Sequence, residues 1–426
     1  MEHRGVVATL DAAQVAVWSA SLRELGGPVG ETEAINQIAA LEQLKSAASA
    51  AQARVTAALR TARVAREMAE GMPAAERGRG LADEVALARR ESASHGSRHL
   101  SLATALVEEL PRTLQHLSAG TVSEWGATLM AKETAVLDPE DRRRVDETLD
   151  GRLATMTPRQ IERAARALTL SIDASAVVRR RARARADRHV SIRPQPDTMA
   201  SVTALVPAEQ GVATWATLRR DAETIKAARD GRGLGQIMAD LFVERLTGQS
   251  RADDVPVEIQ LVLTPDSLLG LENTPAMLPG HGPLPAALAR EMVLDDGAAD
   301  ARIWLRRIFT DDVARVVSLD PRRRHFPRAV RRLLRTRDGV CRFPFCDAPI
   351  RHDDHIVAAV LGGPTTVENG QGLCARHNQT KSRAGWRSWV DDAVQVPDIL
   401  TSTPTGHRYR SPVPPVLDAI PWRDTG

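Results

Sequence analysis

Cysteine is scarce in this chain, with three in 426 residues. So small and odd a number argues against a disulfide framework and suits a reducing compartment, so a cytoplasmic location is expected. Aromatic side chains make up only 3% of the residues, with a single tyrosine, although 43% of the chain is hydrophobic. Apolar content without aromatics, in a chain rich in Ala and Arg, favours packed helices over β-sandwiches or barrels. A run of about 18 apolar residues is missing, so no membrane span is expected. The opening MEHRGVVATLDAAQ lacks an apolar core and is not expected to act as a secretory leader. Net charge is +3, too close to balance to mark a general polycation, but the charge is unevenly placed. There is no internal repeat, and the length allows two or three domains.

What is present is first a succession of helical patterns. Leu10, Val15, Trp18 and Leu22 recur at helical spacing before Gly26-Gly27-Pro28 stops them. From Glu31 to about Met72 one long pattern follows, long enough for a helical hairpin arm or a coiled-coil pair. Leu100, Leu102, Leu106 and Leu110 continue it, with Pro111 as a break or kink. Thr121 and Glu124 stand at capping-box spacing, and Thr157-Pro158 suits another helix start. This helical region ends in Arg179, Arg180, Arg181, Arg183, Arg185 and Arg188. The run reads either as a phosphate-contacting face or as a solvated helix end complementing the dipole.

From His189 the period changes. Residues 189–205 read as a hairpin turning at Pro196-Asp197, followed by helices over 208–228 and 234–246. Strands are expected at 256–263, 301–310 and 314–320, with a short helix at AALAREMV between the first two. Residues 321–337 carry eight arginines and no acid. There Ala329, Val330, Leu333 and Leu334 can face a core while Arg328, Arg331, Arg332 and Arg335 face out. Such an amphipathic basic helix suits contact with nucleic acid. After Trp386 the chain is polar and proline-rich, an extended or hairpin tail.

All three cysteines lie between Arg337 and Trp386. Four residues separate Cys341 from Cys346, two separate Cys374 from His377, and 27 lie between the pairs. Two close pairs are how a chain builds a tetrahedral metal site, and three cysteines with one histidine form an established structural zinc set. The plainer alternative is three buried free cysteines and a surface histidine. A strand bearing Asp354-His355, a Gly362-Gly363-Pro364 turn and a helix opening at Cys374 could fold back on one another if zinc pinned their ends. Asp354, His355 and Asn378 would then converge. His352 reads as an exposed neighbour, and His281 and His325 have no partner at a recognisable spacing.

These residues resemble the HNH endonuclease family. The resemblance rests on Cys341-x4-Cys346, Asp354-His355-Ile356, Gly362-Gly363, Asn369 and Leu373-Cys374-x2-His377-Asn378-x2-Lys381, covering about 50 residues. More broadly, the chain is similar to actinobacterial HNH signature proteins, which carry a long N-terminal domain of unknown function. The resemblance implies that His355 is the general base, since an imidazole of pKa about 6.5 is poised for that role. It implies that Asp354 and Asn378 hold one divalent cation, Mg²⁺ or Mn²⁺. Asn369 would tie down the loop and orient His355. Lys381, Arg376 and Arg383, with Arg331, Arg332 and Arg335 of the basic helix, would hold the phosphate backbone of DNA. Two departures stand out: Ala358 replaces a common proline, and Asn378 stands where many relatives have a second histidine.

The expected fold is mainly α with a small α+β middle region and a C-terminal ββα-metal module stabilised by zinc. Residues 1–188 would form an α-helical N-terminal region and 189–320 a small α+β region continuous with it. Residues 321–390 would form the basic helix plus nuclease module, and 391–426 a Pro-rich tail. The expected function is metal-dependent hydrolysis of DNA. The alternatives are an inactive zinc-stabilised DNA-binding or scaffold protein, and a helical assembly protein that pairs as a homo-oligomer through residues 31–72.

Overall fold

The computed structural model describes residues 11–27, 30–173, 175, 185–197, 199–248, 270, 273, 275–278, 282–294, 326–391 and 398–412. Arg179, Arg180, Arg181, Arg183, His281, His325, the strands expected at 256–263, 301–310 and 314–320, and the tail from residue 413 lie outside the described residues. No helix among the described residues is long and apolar enough to cross a membrane. Two compact units divide the chain, and they do not follow its order: Met1–Ala62 with Ser101–Ala174, and Arg63–Leu100 with Ser175–Gly426.

The first unit is helical. Asp11 caps the helix Ala12–Arg23, and a 39-residue helix, Glu31–Ala69, begins in this unit and has its residues from Arg63 onward in the second. Pro111 does not kink a helix; it opens a new one, Pro111–Ser118, where its missing N–H costs nothing. Thr157 caps Pro158–Ile172 in a reciprocal capping box with Gln160. The cap of Glu124–Thr134, in contrast, is Ser123 and not Thr121. The Thr121 hydroxyl is taken by His116, with its Oγ1 lying 2.8 Å from the ring and 3.1 Å from the carbonyl. Leu106, Leu110, Leu117, Met130, Leu149, Leu153 and Ile161 form the core of these helices. Asp146 is buried among them and accepts from the Arg112 and Thr113 amides, at 2.7 and 3.0 Å, and from the Thr113 hydroxyl at 2.5 Å.

The second unit mixes helices with small sheets. The hairpin His189–Pro194/Ala200–Leu205 is antiparallel, with Asp197 at φ 59° in its turn, and the helices Ala208–Ala227 and Leu234–Thr247 follow. Helix Arg328–Asp338 buries Val330 and Leu334 and leaves Arg328, Arg331, Arg332 and Arg335 exposed, as its amphipathic pattern requires. Strand His352–His355 pairs antiparallel with Gly370–Leu373, placing His352 opposite Leu373 and His355 opposite Gly370. The helix Ala375–Thr380 follows at once. The turn between the strands needs its glycines. Gly362 adopts φ +87°, and a Cβ on Gly363 would lie 1.8 Å from the Val357 carbonyl oxygen. A three-stranded sheet, Arg387–Asp391, Asp398–Ser402 and Arg408–Ser411, turns the start of the proline-rich segment into a hairpin.

Candidate metal centre

Cys341, Cys346, Cys374 and His377 are all buried, and their ligand atoms lie within 4.8 Å of one another. The first pair comes from a tight knuckle. The Cys346 amide donates to the Phe343 carbonyl at 3.1 Å, and the Cys341 amide to the Ala348 carbonyl at 2.9 Å. Phe345 takes a left-handed φ of 59° to close it. The second pair is set by a helix start: Cys374 is the N-cap of Ala375–Thr380, and its sulfur accepts from the His377 amide at 3.4 Å. Phe343 stacks on the His377 ring, with centroids 3.9 Å apart and planes 15° from parallel. That stacking holds Nδ1 toward the sulfurs.

The donor set fits a tetrahedral ion. Nδ1 of His377 lies 3.5 Å from the sulfurs of both Cys341 and Cys374. Zn–S bonds of about 2.3 Å and Zn–N bonds of about 2.0 Å at tetrahedral angles separate sulfur from nitrogen by roughly that distance. Hydrogen bonds with Cys346 and Cys374, together with burial, push the Cys341 thiol up, while bonds from Cys341 and Cys346 hold Cys374 down. A bound dication would favour the thiolate form of all three cysteines.

The other residues marked in the sequence lie in the same compact unit as this cluster. Asp354 and His355 end the strand His352–His355. His355 is buried, Phe326 stacks on its ring at 4.5 Å, and its Nε2 lies 2.9 Å from the Thr365 hydroxyl. The Oδ2 of Asp354 forms an ion pair with the Lys381 ammonium, which also donates to the His355 carbonyl. The Asn369 side chain bridges the intervening loop: Oδ1 accepts from the Val357 amide at 2.9 Å, and Nδ2 donates to the Val357 and Pro364 carbonyls at 3.0 and 2.7 Å. The Asn369 carbonyl accepts from the amide of Ile356, next to His355, at 2.7 Å. Asn378 is half-buried in the helix that carries His377.

The arginines divide into engaged and outward-facing ones. Arg335 grips Asp353 with two bonds of 2.9 Å. Arg376 is drawn to Asp83 and to the Ser97 hydroxyl. Arg331 donates its Nε to the Phe326 carbonyl at 2.8 Å, Arg332 stands exposed beside it, and Arg383 is half-buried past the end of the short helix. Thr365, Phe326 and Asp83 belong to no motif in the sequence. Thr365 follows the Gly-Gly-Pro turn and had a local cue. Asp83, paired with Glu84 inside the otherwise apolar LADEVAL, had only the oddity of two acids in a buried helix.

The described fold is thus mainly helical with a few small sheets, and its buried Cys₃His cluster defines a chain able to hold a metal ion, consistent with structural zinc. The chain belongs to the DUF222 family, a domain of unknown function, whose family profile matches residues 40–338. It is 41% identical over 80 residues to the uncharacterized protein Rv3776 of Mycobacterium tuberculosis H37Rv. It is 39% identical over 80 residues to the uncharacterized protein Rv2100 of the same strain. Each match covers 18% of this chain and 14% of the relative, so the aligned part is a small share of either protein. No solved structure matches the chain.

Proposed function

We propose that this chain is a metal-dependent endonuclease of the HNH type that hydrolyses DNA phosphodiester bonds. The observation that carries this reading is one juxtaposition. An antiparallel strand pair and a short helix surround the Cys₃His cluster, and the strand that leads into the turn ends on Asp354-His355. The family adds weight, because in actinobacteria this domain typically precedes an HNH domain. The profile match ends at residue 338, just ahead of Cys341.

In this reading His355 is the general base. In the tautomer that donates Nε2–H to Thr365, Nδ1 carries the lone pair that would take the proton of the attacking water. Phe326 and Thr365 fix the ring so that no energy is lost to reorienting it. Asp354 and Asn378 would hold a divalent cation, Mg²⁺ or Mn²⁺, which when bound supplies Lewis-acid stabilisation of charge on the phosphate and the leaving oxygen. Lys381 neutralises the half-buried Asp354 carboxylate. Arg331, Arg332 and Arg383 provide sequence-independent attraction to the phosphate backbone. Zinc at the Cys₃His cluster would hold the module together and take no part in the chemistry.

The test is conversion of supercoiled plasmid to nicked or linear DNA by the full chain with Mg²⁺ or Mn²⁺. Cleavage is expected, and it should stop on adding EDTA. A chain that binds the plasmid and leaves it supercoiled in every metal would favour the binding or scaffold reading instead.

A further inference from the structure

The metal cluster has a partner far upstream in the sequence. Helix Leu81–Arg89 belongs to the same compact unit as Cys341–His377, and it buries Leu87 against Phe343, Leu373 and Trp386. The same helix buries Asp83, which is 3% exposed. An ionised carboxylate in such a place needs compensation, and Asp83 finds it entirely on the helix that carries His377. Its Oδ2 accepts from the Thr380 hydroxyl at 2.7 Å, across 297 residues of sequence. Its Oδ1 pairs with the Arg376 guanidinium and lies 4.0 Å from Nε2 of His377. That nitrogen is the far side of the ring whose Nδ1 faces the sulfurs.

We propose that Asp83 is a positioning residue of the metal centre. It clamps Arg376 and Thr380, on either side of His377, and places a carboxylate oxygen 4.0 Å behind the ligand imidazole. At that distance the carboxylate acts through its field and not through a hydrogen bond, favouring the tautomer with the proton on Nε2 and the lone pair on Nδ1. The DUF222 region therefore contributes to metal retention although every ligand lies beyond its matched residues. The inference rests on the metal reading of the cluster and is independent of the nuclease reading.

The experiment follows zinc release from the full chain into an excess of a chromogenic chelator, for the wild type, Asp83→Asn and Glu84→Gln. Glu84 lies on the same helix but faces Arg63 and Thr405, so its substitution loosens the helix without touching the ligand side. Asp83→Asn is expected to release zinc about 10- to 100-fold faster than wild type, with Glu84→Gln close to wild type. Release by Asp83→Asn within about twofold of wild type overturns the proposal, as does equally fast release by Glu84→Gln. A second measurement needs no variant and covers the case in which Asp83→Asn does not fold. Stripping zinc from the wild type is expected to speed amide exchange in residues 81–89 together with 375–380, and unchanged protection of 81–89 overturns the proposal. A wild type that binds no zinc overturns both this inference and the metal reading, whereas loss of DNA cleavage with zinc retained bears only on the nuclease reading.

Discussion

His355 and Thr365 meet inside the fold, imidazole Nε2 to hydroxyl at 2.9 Å, and this contact together with Phe326 leaves the ring one orientation. Thr365 is 4% exposed, so water does not replace it readily. Its position depends on the turn before it, where Gly363 packs against the Val357 carbonyl and Asn369 ties Val357 to Pro364.

Thr365→Val removes the hydroxyl and keeps the volume. DNA cleavage is expected to fall about 10- to 100-fold through loss of ring orientation. The cost in stability should be about 1 kcal/mol for one hydrogen bond. Single-turnover cleavage and urea denaturation of the same preparation separate the two effects.

The metal ligands should behave differently. Cys374→Ser, Cys341→Ser or His377→Ala is expected to abolish zinc binding and unfold the strand–turn–helix segment. Structural zinc contributes on the order of 10 kcal/mol in small sites. Metal content per chain and near-UV dichroism of Trp386, packed against Phe343 at 5.6 Å, report the loss.

The arginines of helix Arg328–Asp338 differ in what they can offer DNA. Arg335→Ala is expected to leave the salt dependence of binding nearly unchanged, because Asp353 already holds the guanidinium. It should cost about 1 kcal/mol of stability, in keeping with a pair that is exposed on the arginine side. Arg332→Ala should lower the slope of log K against log salt by about 0.9. Binding titrations at several salt concentrations give both slopes.

Asp146 anchors the start of Pro111–Ser118 from the neighbouring helix. Asp146→Ala strands buried donors and should cost about 2–4 kcal/mol. Desolvation pushes the Asp146 carboxyl above its ordinary range, against the hydrogen bonds that lower it. The folded state therefore holds this proton more tightly than the unfolded state. The stability Asp146 contributes is fullest below the unfolded value, about 3.9, and declines as pH rises through the higher folded value. Asp146→Ala should accordingly cost more at pH 4 than at pH 7 in urea titrations.

Much of this was legible in the sequence because it is local. Thr157-Pro158 sets a helix start through its own side chain and ring, and the metal quartet declares itself through two short spacings. The basic helix shows its apolar face in Val330 and Leu334 at helical period. Cap choice was less legible: Thr121 and Ser123 both suit a cap, and only the tertiary contact of Thr121 with His116 decides between them. Long-range partners were not legible at all. Nothing near Arg376 announces Asp83, and nothing in the arginine-rich segment announces that Phe326 stacks on His355. Such contacts depend on which faces pack, and that is fixed by the whole unit.

The central claim separates a structural metal set from a chemical set, and one comparison tests it most directly. Wild type and His355→Ala are incubated with supercoiled plasmid and Mn²⁺ or Mg²⁺, with zinc content measured on each. The account predicts that wild type nicks the plasmid, and that His355→Ala keeps its zinc and its DNA affinity while cleaving about 10²- to 10⁴-fold more slowly. A His355→Ala chain that cuts as fast as wild type, or a zinc-loaded wild type that binds DNA and never cuts it, would contradict the account.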